Sequence, residues 1–290
     1  MNYADPHRCR RPRSGKVYAD GPAAVDMDLT TLTDRLDERL RTDEYAAVDA
    51  SANGLQVGRP GPGVPPEDGD RAVDHVALAV DAAVATAERA TTLGADLLVT
   101  HHGLVWGGLE RVTGRHYRRV AAFVERDLPL YVSHLPLDGH PELGNAAEIA
   151  DLLGVVDREP FGDLGGVHAG LQGRLDGPRS PAELRETLAA DLDTGDGRVR
   201  ALDLGPERVE RVAVLTGSGA DFLDEAVAAG VDALVTGEPK GKVHHEAREA
   251  GLNVVLGGHY ATETAGVRRL GELIEDWGVE TTFVDHPTGL

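Results

Sequence analysis

Three stretches of this 290-residue chain run from an apolar segment straight into side chains that can hold a metal ion. In "LLVTHHGLVWGG", two adjacent imidazoles, His101 and His102, end a run of buried-strand character. "SHLPLDGHPELGN" packs His134, Asp138, His140 and Glu142 into a loop punctuated by Gly and Pro. In "VVLGGHYATETAGVRRLGELIEDW", His259 and Glu263 are four residues apart, so on a helix they share one face and can grip one ion.

Each stretch also has a plainer reading. Consecutive strand residues point to opposite faces, so His101 and His102 serve one site only where the strand breaks, and Gly103 supplies that break. Without it they are a surface or capping pair. Asp138 and His140 could merely satisfy the backbone of a turn, and Thr262 could cap a helix whose dipole Glu263 complements. Taken together, the stretches supply three imidazoles and two carboxylates: His101, His102, His259, Asp138 and Glu263. That mixed nitrogen and oxygen set suits one or two first-row divalent ions such as zinc, iron or manganese, and exceeds the four ligands of a closed structural zinc. Asp138 has lone pairs enough to bridge two cations. Two such ions would lower the pKa of a bound water and generate hydroxide near neutral pH, which is hydrolytic chemistry.

Strands alternating with helices must position these residues. "HVALAV" reads as a strand, "DAAVATAERATTLG" as a helix ending at Gly94, and "DLLVT" as the next strand; a helix over Tyr117–Arg126 then leads to the strand "LPLYVSH". Leu29, Leu32, Leu36 and Leu40 recur at helical spacing after Met27, a candidate start codon. Ser180 and Glu183 are spaced as a capping box at the head of "SPAELRETLAADL". The segment from Val76 to Gly103 can be laid beside that from Val212 to Pro239. Both read strand, turn, helix, Gly-x-Asp, then a strand ending in Leu-Val-Thr, the first at His101-His102 and the second at Gly237-Glu238. This points to internal duplication and to an α/β architecture with mainly parallel pairing.

Composition bounds the function. With 49 acidic against 29 basic residues the formal net charge is -20, which disfavours nucleic-acid partners, whose phosphates need Lys and Arg. Lys16, Lys240 and Lys242 are the only lysines, a bias that fits a high-salt cytoplasm. The single cysteine, Cys9, excludes an intramolecular disulfide framework. No apolar run is long enough to span a membrane and no signal peptide is evident, so the expected compartment is the cytoplasm. Residues 1–26, Arg- and Pro-rich without periodicity, read as a disordered extension, and Arg59 to Asp70 as a loop.

The motifs "NGLQVG", "GADLLVTHHGLVW", "SHLPLDGHPELGN", "GSGADFL", "GVDALVTGE" and "GGHYATE" follow one another in the order of the GTP cyclohydrolase I type 2 homologue family, which the chain resembles from Met27 onward. The resemblance implies a dinuclear metal centre held by His101, His102, Asp138, His259 and Glu263, the same five residues. It also implies two related α/β domains flanking that centre, residues 27–132 joined by 263–290 and residues 133–262, and a toroidal homohexamer. Glu238 and His134 are candidates for proton transfer or for orienting ligands; His245 matches a family position, while His244 beside it reads as a solvated helix residue. His75, His116, His168 and His286 read as structural or surface residues. The N-terminal extension has no counterpart in the pattern. Two other two-metal classes fit worse: Thr100 precedes the histidine pair where an Asp-His-His phosphoesterase would carry aspartate, and no His-x-His-x-Asp-His string occurs. The function expected is metal-dependent hydrolysis of a nucleotide-like, heterocyclic or phosphate-bearing small molecule, or else non-catalytic storage or sensing of metal.

Overall fold

The computed structural model describes residues 27–59 and 71–290. The extension expected over residues 1–26, and nearly all of the Arg59 to Asp70 loop, lie outside the described residues. Two sheets carry the fold. The first holds β1 (Gly54–Val57), β2 (His75–Asp81), β3 (Leu97–His102), β4 (Leu130–Val132) and β11 (Glu280–Phe283), in the order β1-β4-β3-β2-β11. The second holds β5 (Val155–Asp163), β6 (His168–Arg179), β7 (Arg200–Leu202), β8 (Val209–Val214), β9 (Ala233–Thr236) and β10 (Asn253–Leu256), in the order β5-β6-β8-β9-β10-β7. Each has a parallel centre, β4-β3-β2-β11 in one and β8-β9-β10 in the other, with antiparallel strands added at the edges.

Both sheets are covered on two faces, which is why their central strands read as unbroken apolar runs. Along β2, Val76, Leu78 and Val80 pack against Leu29, Leu32, Leu36 and Leu40 of the first helix, as its spacing predicts, and against Val267, Leu270 and Ile274 of the long helix His259–Asp276. Ala77 and Ala79 face the other way, onto Ala87, Ala90 and Phe123. The second sheet sits between Ile149, Leu184 and Leu188 on one side and Leu223, Ala226 and Val243 on the other. Ser180 and Glu183 form the reciprocal capping box at the head of the helix Pro181–Asp191.

The two Gly-x-Asp strings do the same work in both sheets. Gly94 and Gly230 follow a helix in the left-handed region, at φ 72° and 68°. The aspartate two residues on, Asp96 or Asp232, then accepts two backbone N–H bonds from the start of the neighbouring strand, at Asp74 and His75 or at Glu210 and Arg211. The repeated string therefore marks one repeated structural joint.

Candidate metal centre

The site lies where the carboxyl end of β3, the one-turn helix Leu135–Asp138 that stands after β4 in place of the expected loop, and the start of the His259–Asp276 helix meet. Strand register sets up the first imidazoles. Asp81 is the Cα partner of His102 across the β2–β3 ladder, and its carboxylate accepts a hydrogen bond from His102 Nδ1 at 2.9 Å. His101 is fully buried, and its Nδ1 donates to the carbonyl of Ser133 at the end of β4, 2.9 Å away. The ladder runs through His102 and the chain leaves it at Gly103, where the close-packed amide of Gln56 leaves no room for a side chain. Despite alternation the two rings stay together, with centroids 4.6 Å apart.

From the third stretch, Gly258 (φ 93°) starts the helix one residue before His259, so His259 and Glu263 occupy successive turns of one face. Thr262 is inside the helix and not at its cap; its hydroxyl donates to Gly258 O. Glu263 is the hub. Its two carboxylate oxygens lie 3.5 Å from His101 Nε2, 3.3 Å from His102 Nε2 and 3.2 Å from His259 Nε2. Asp138, 3.5 Å from His101 Nε2, is held by the Asn145 amide at 2.8 Å and the Thr216 hydroxyl at 3.2 Å.

His134 joins the group. Its Nδ1 meets the buried carboxylate of Asp49 at 2.9 Å, leaving Nε2 as the free nitrogen, and ligand atoms of His101, His102 and His134 come within 4.8 Å of one another. The sets His102, His259, Glu263 and His101, Asp138, Glu263 converge equally closely, and each set could hold a metal ion. Glu238, partly exposed, bonds the Ser218 hydroxyl and lies 3.3 Å from His259 Nδ1. The other two residues of the loop go elsewhere: His140 and Glu142 both meet Arg39. His244 and His245 are both exposed on the helix Val243–Ala250. His75 bonds Thr282.

Electrostatics follow from this crowding. Burial would lower the His101 pKa, but the charges of Asp138 and Glu263 outweigh it and raise it to about 10. His259 is raised to about 9 in the same way: burial opposes protonation, and Glu263 and Glu238 overcome it. Burial would raise the Glu263 pKa, yet the facing imidazoles of His102 and His101 hold it well below the usual carboxylate range.

Sequence reasoning missed the groups that aim the ligating atoms. Asp49, 85 residues from His134, also accepts from Ser51 N, Asn53 Nδ2 and Leu135 N. Asp81 had one visible signal, a carboxylate ending an apolar strand. Outer partners of this kind fix the tautomer of an imidazole and strengthen its free nitrogen as a ligand. Asp81→Ala should therefore weaken metal binding by about 10- to 100-fold while leaving the fold intact; competition against a chromogenic chelator measures it, and unchanged affinity would mean that His102 is no ligand. Two spaces adjoin the centre. One of about 340 Å3 reaches Asp138 between Tyr45, His140 and His168. Another of about 560 Å3 reaches Glu238 beside Arg198 and Arg200.

The family model Duf34/NIF3 (NGG1p interacting factor 3) matches residues 27–289. A Halobacterium salinarum protein named GTP cyclohydrolase 1 type 2 homolog is 59% identical over 264 residues, covering 91% of this chain and 100% of its own length. The Escherichia coli K12 protein of the same name is 38% identical over 266 residues, covering 90% and 99%. The crystal structure of TTHA1606 from Thermus thermophilus superposes with a TM-score of 0.78 at 38% identity, covering 91% of this chain and 100% of that one. The chain belongs to the Duf34/NIF3 family, in the company of the GTP cyclohydrolase 1 type 2 homologues that its motifs resemble.

Proposed function

We propose that the protein binds two divalent ions, of zinc, iron or manganese type, through His101, His102, Asp138, His259 and Glu263, and uses them to hydrolyse a nucleotide-like, heterocyclic or phosphate-bearing small molecule. One observation carries the metal reading. His101 Nε2 and Glu263 Oε2 are buried without a hydrogen-bond partner, and these two residues with Asp138 offer ligand atoms within 4.8 Å of one another. Orphaned polar atoms are costly in a protein interior, and a cation between them removes the cost. The donor set fits: each imidazole has its Nδ1 turned to a carbonyl or carboxylate, so its Nε2 is the atom turned to the site, and a cation there would take the place of any proton it carries.

Bound ions of this kind supply Lewis acidity, lowering the pKa of water and polarising a carbonyl or phosphoryl oxygen. The protein's own part is to orient and to move protons. His134, fixed by Asp49, presents a free nitrogen to the site and can take a proton from the attacking water. Glu238, half in solvent beside His259, can pass a proton to the leaving group. We read the chain as cytoplasmic and, by family resemblance, as a homohexameric ring, with the centre on the seam between residues 27–132 plus 263–290 and residues 133–262.

Elemental analysis of purified protein tests this against a His101→Ala, Glu263→Ala double variant. About two ions per chain are expected in the wild type and clearly fewer in the variant. In a screen of nucleotides and phosphoesters, Asp138→Ala should abolish a turnover that Glu238→Gln only slows. Metal bound without turnover would favour storage or sensing of metal. Metal no higher than in the double variant, after reloading with zinc, manganese or iron, would end the metal reading.

A further inference from the structure

Trp106 stands at the mouth of the centre with 42% of its surface exposed, although nothing about its anchoring is loose. Its Nε1 donates to Gly103 O at 3.1 Å. Its backbone bridges Ser51, and the flanking bonds Ala52 N to Val105 O and Gly107 N to Ala50 O tie the chain on either side. The indole rests edge-to-face on His134, centroids 4.9 Å apart at 77°, and lies 6.0 Å from His102. Beyond it Gly107 and Gly108 carry no side chain, and a Cβ at either would meet nothing within 4 Å. Trp277 is different: the Arg35 guanidinium lies over its ring at 4.2 Å. The outer face of Trp106 has no such cover among the described residues.

We propose that Trp106 is a stacking platform for a planar heterocyclic ring of the ligand, a purine or pyrimidine base or a ring of similar size, held over the His102–His134 side of the centre. This rests on the reading of the centre as a small-molecule site and names the ligand class. A rigid, pinned indole loses little freedom on stacking, and base–aromatic stacking tolerates any flat ring because each presents a π face. The alternative occupant is a second copy of the chain, since Leu109, Val112 and Tyr117 nearby are also exposed. Those three lack the contact with the imidazoles that ties Trp106 to the site.

The chain has two tryptophans, so Trp277→Phe leaves Trp106 as the only indole. Metal-loaded Trp277→Phe protein is titrated with GMP, AMP and UMP, and with ribose 5-phosphate, which has no base. Saturable quenching of indole fluorescence by at least one nucleotide, and none by ribose 5-phosphate, is expected. In equilibrium dialysis Trp106→Leu should weaken that nucleotide by roughly 5- to 150-fold, with Trp106→Phe recovering most of the loss and metal content unchanged in both. Equal nucleotide binding by Trp106→Leu, equal binding of ribose 5-phosphate, or no binding of any nucleotide at millimolar concentration would overturn the platform. So would a change in assembly mass in Trp106→Leu with nucleotide binding per chain unaltered, which would assign the indole to contact between copies. Metal content separates the two claims: a metal-loaded protein that stacks nothing loses only the platform, whereas a protein that holds no metal loses the centre itself.

Discussion

Gly217→Ala is expected to empty the metal centre, whereas Gly94→Ala is not, although both glycines have a positive φ. Gly94, at 72°, has open space where a Cβ would go. Alanine there should cost only the backbone strain of the left-handed region, about 1 kcal/mol. Gly217, at 56°, would carry its Cβ 2.2 Å from Glu263 Oε1 and 3.2 Å from His259 Nε2. The strain is similar, but the methyl group would occupy the space of the hub carboxylate. Glu263 must swing away or the turn must open, and either movement separates groups now 3.2 to 3.5 Å apart. Metal affinity should fall on the order of a hundredfold or more, since lesser damage outside the ligands already costs about 10- to 100-fold. Chelator competition and thermal unfolding of the two variants side by side check this. Equal metal content in both would show that Glu263 is not required.

Glu263→Gln should change not only the affinity but the size of the pH response. In the metal-free wild type, the native state holds protons on His101 and His259 that the unfolded chain releases above its ordinary imidazole pKa of about 6.5. That contribution is complete below about pH 6.5 and is lost as pH rises toward the native values of about 9 and about 10. Glu263, depressed in the native state, contributes in the opposite direction: its share is present above the ordinary carboxylate pKa and lost as pH falls. Metal-free protein is thus most stable in mildly acid solution and weakens by a few kcal/mol toward pH 9, each pKa unit being worth about 1.4 kcal/mol. Metal inverts the trend, because it binds the deprotonated imidazoles and gains affinity as pH rises. Glutamine keeps the shape and removes one of the charges; Asp138 still faces His101 and Glu238 still faces His259, so the alkaline loss of the metal-free protein should shrink, most of all in the His259 share, while metal binding is lost. Denaturant midpoints at pH 6 and pH 9, with and without chelator, show the crossing; parallel curves for wild type and Glu263→Gln would refute it.

The stretches that sequence patterning found are those where local chemistry repeats at a fixed period. Leu29, Leu32, Leu36 and Leu40 lie on one buried helical stripe, and the runs ahead of His101, His134 and His259 are buried on both faces because helices cover both sides of each sheet. An unbroken apolar run is legible as a strand, and the polar residues at its end stand out against it. The hairpin of β5 and β6, from Val155 to Arg179, has no such signature. Its outer residues alternate irregularly between exposed and buried, and register shifts between Val156 and Glu159 and between Arg174 and Arg179 break the period of two. Asp49 was illegible for another reason, and Asp81 showed only as a carboxylate at the end of an apolar strand, with no sign of its partner. What gives them meaning is the imidazole each faces across the fold, and chain spacing does not encode that partner. Asn145 and Thr216, which hold Asp138 from two different elements, are hidden in the same way.

The helix His259–Asp276 leaves the second sheet after β10 and delivers β11 to the first, where it pairs with β2 from the opposite end of the chain. A chain emerging from the ribosome can therefore complete β1 to β4 and still possess only half of the centre. His259 and Glu263 follow far later in the sequence than His101, His102 and Asp138, and contacts of such long range are expected to form late. Metal binding at the proposed centre would then report completed synthesis: a truncated chain has the histidine pair but not the carboxylate that joins it to His259.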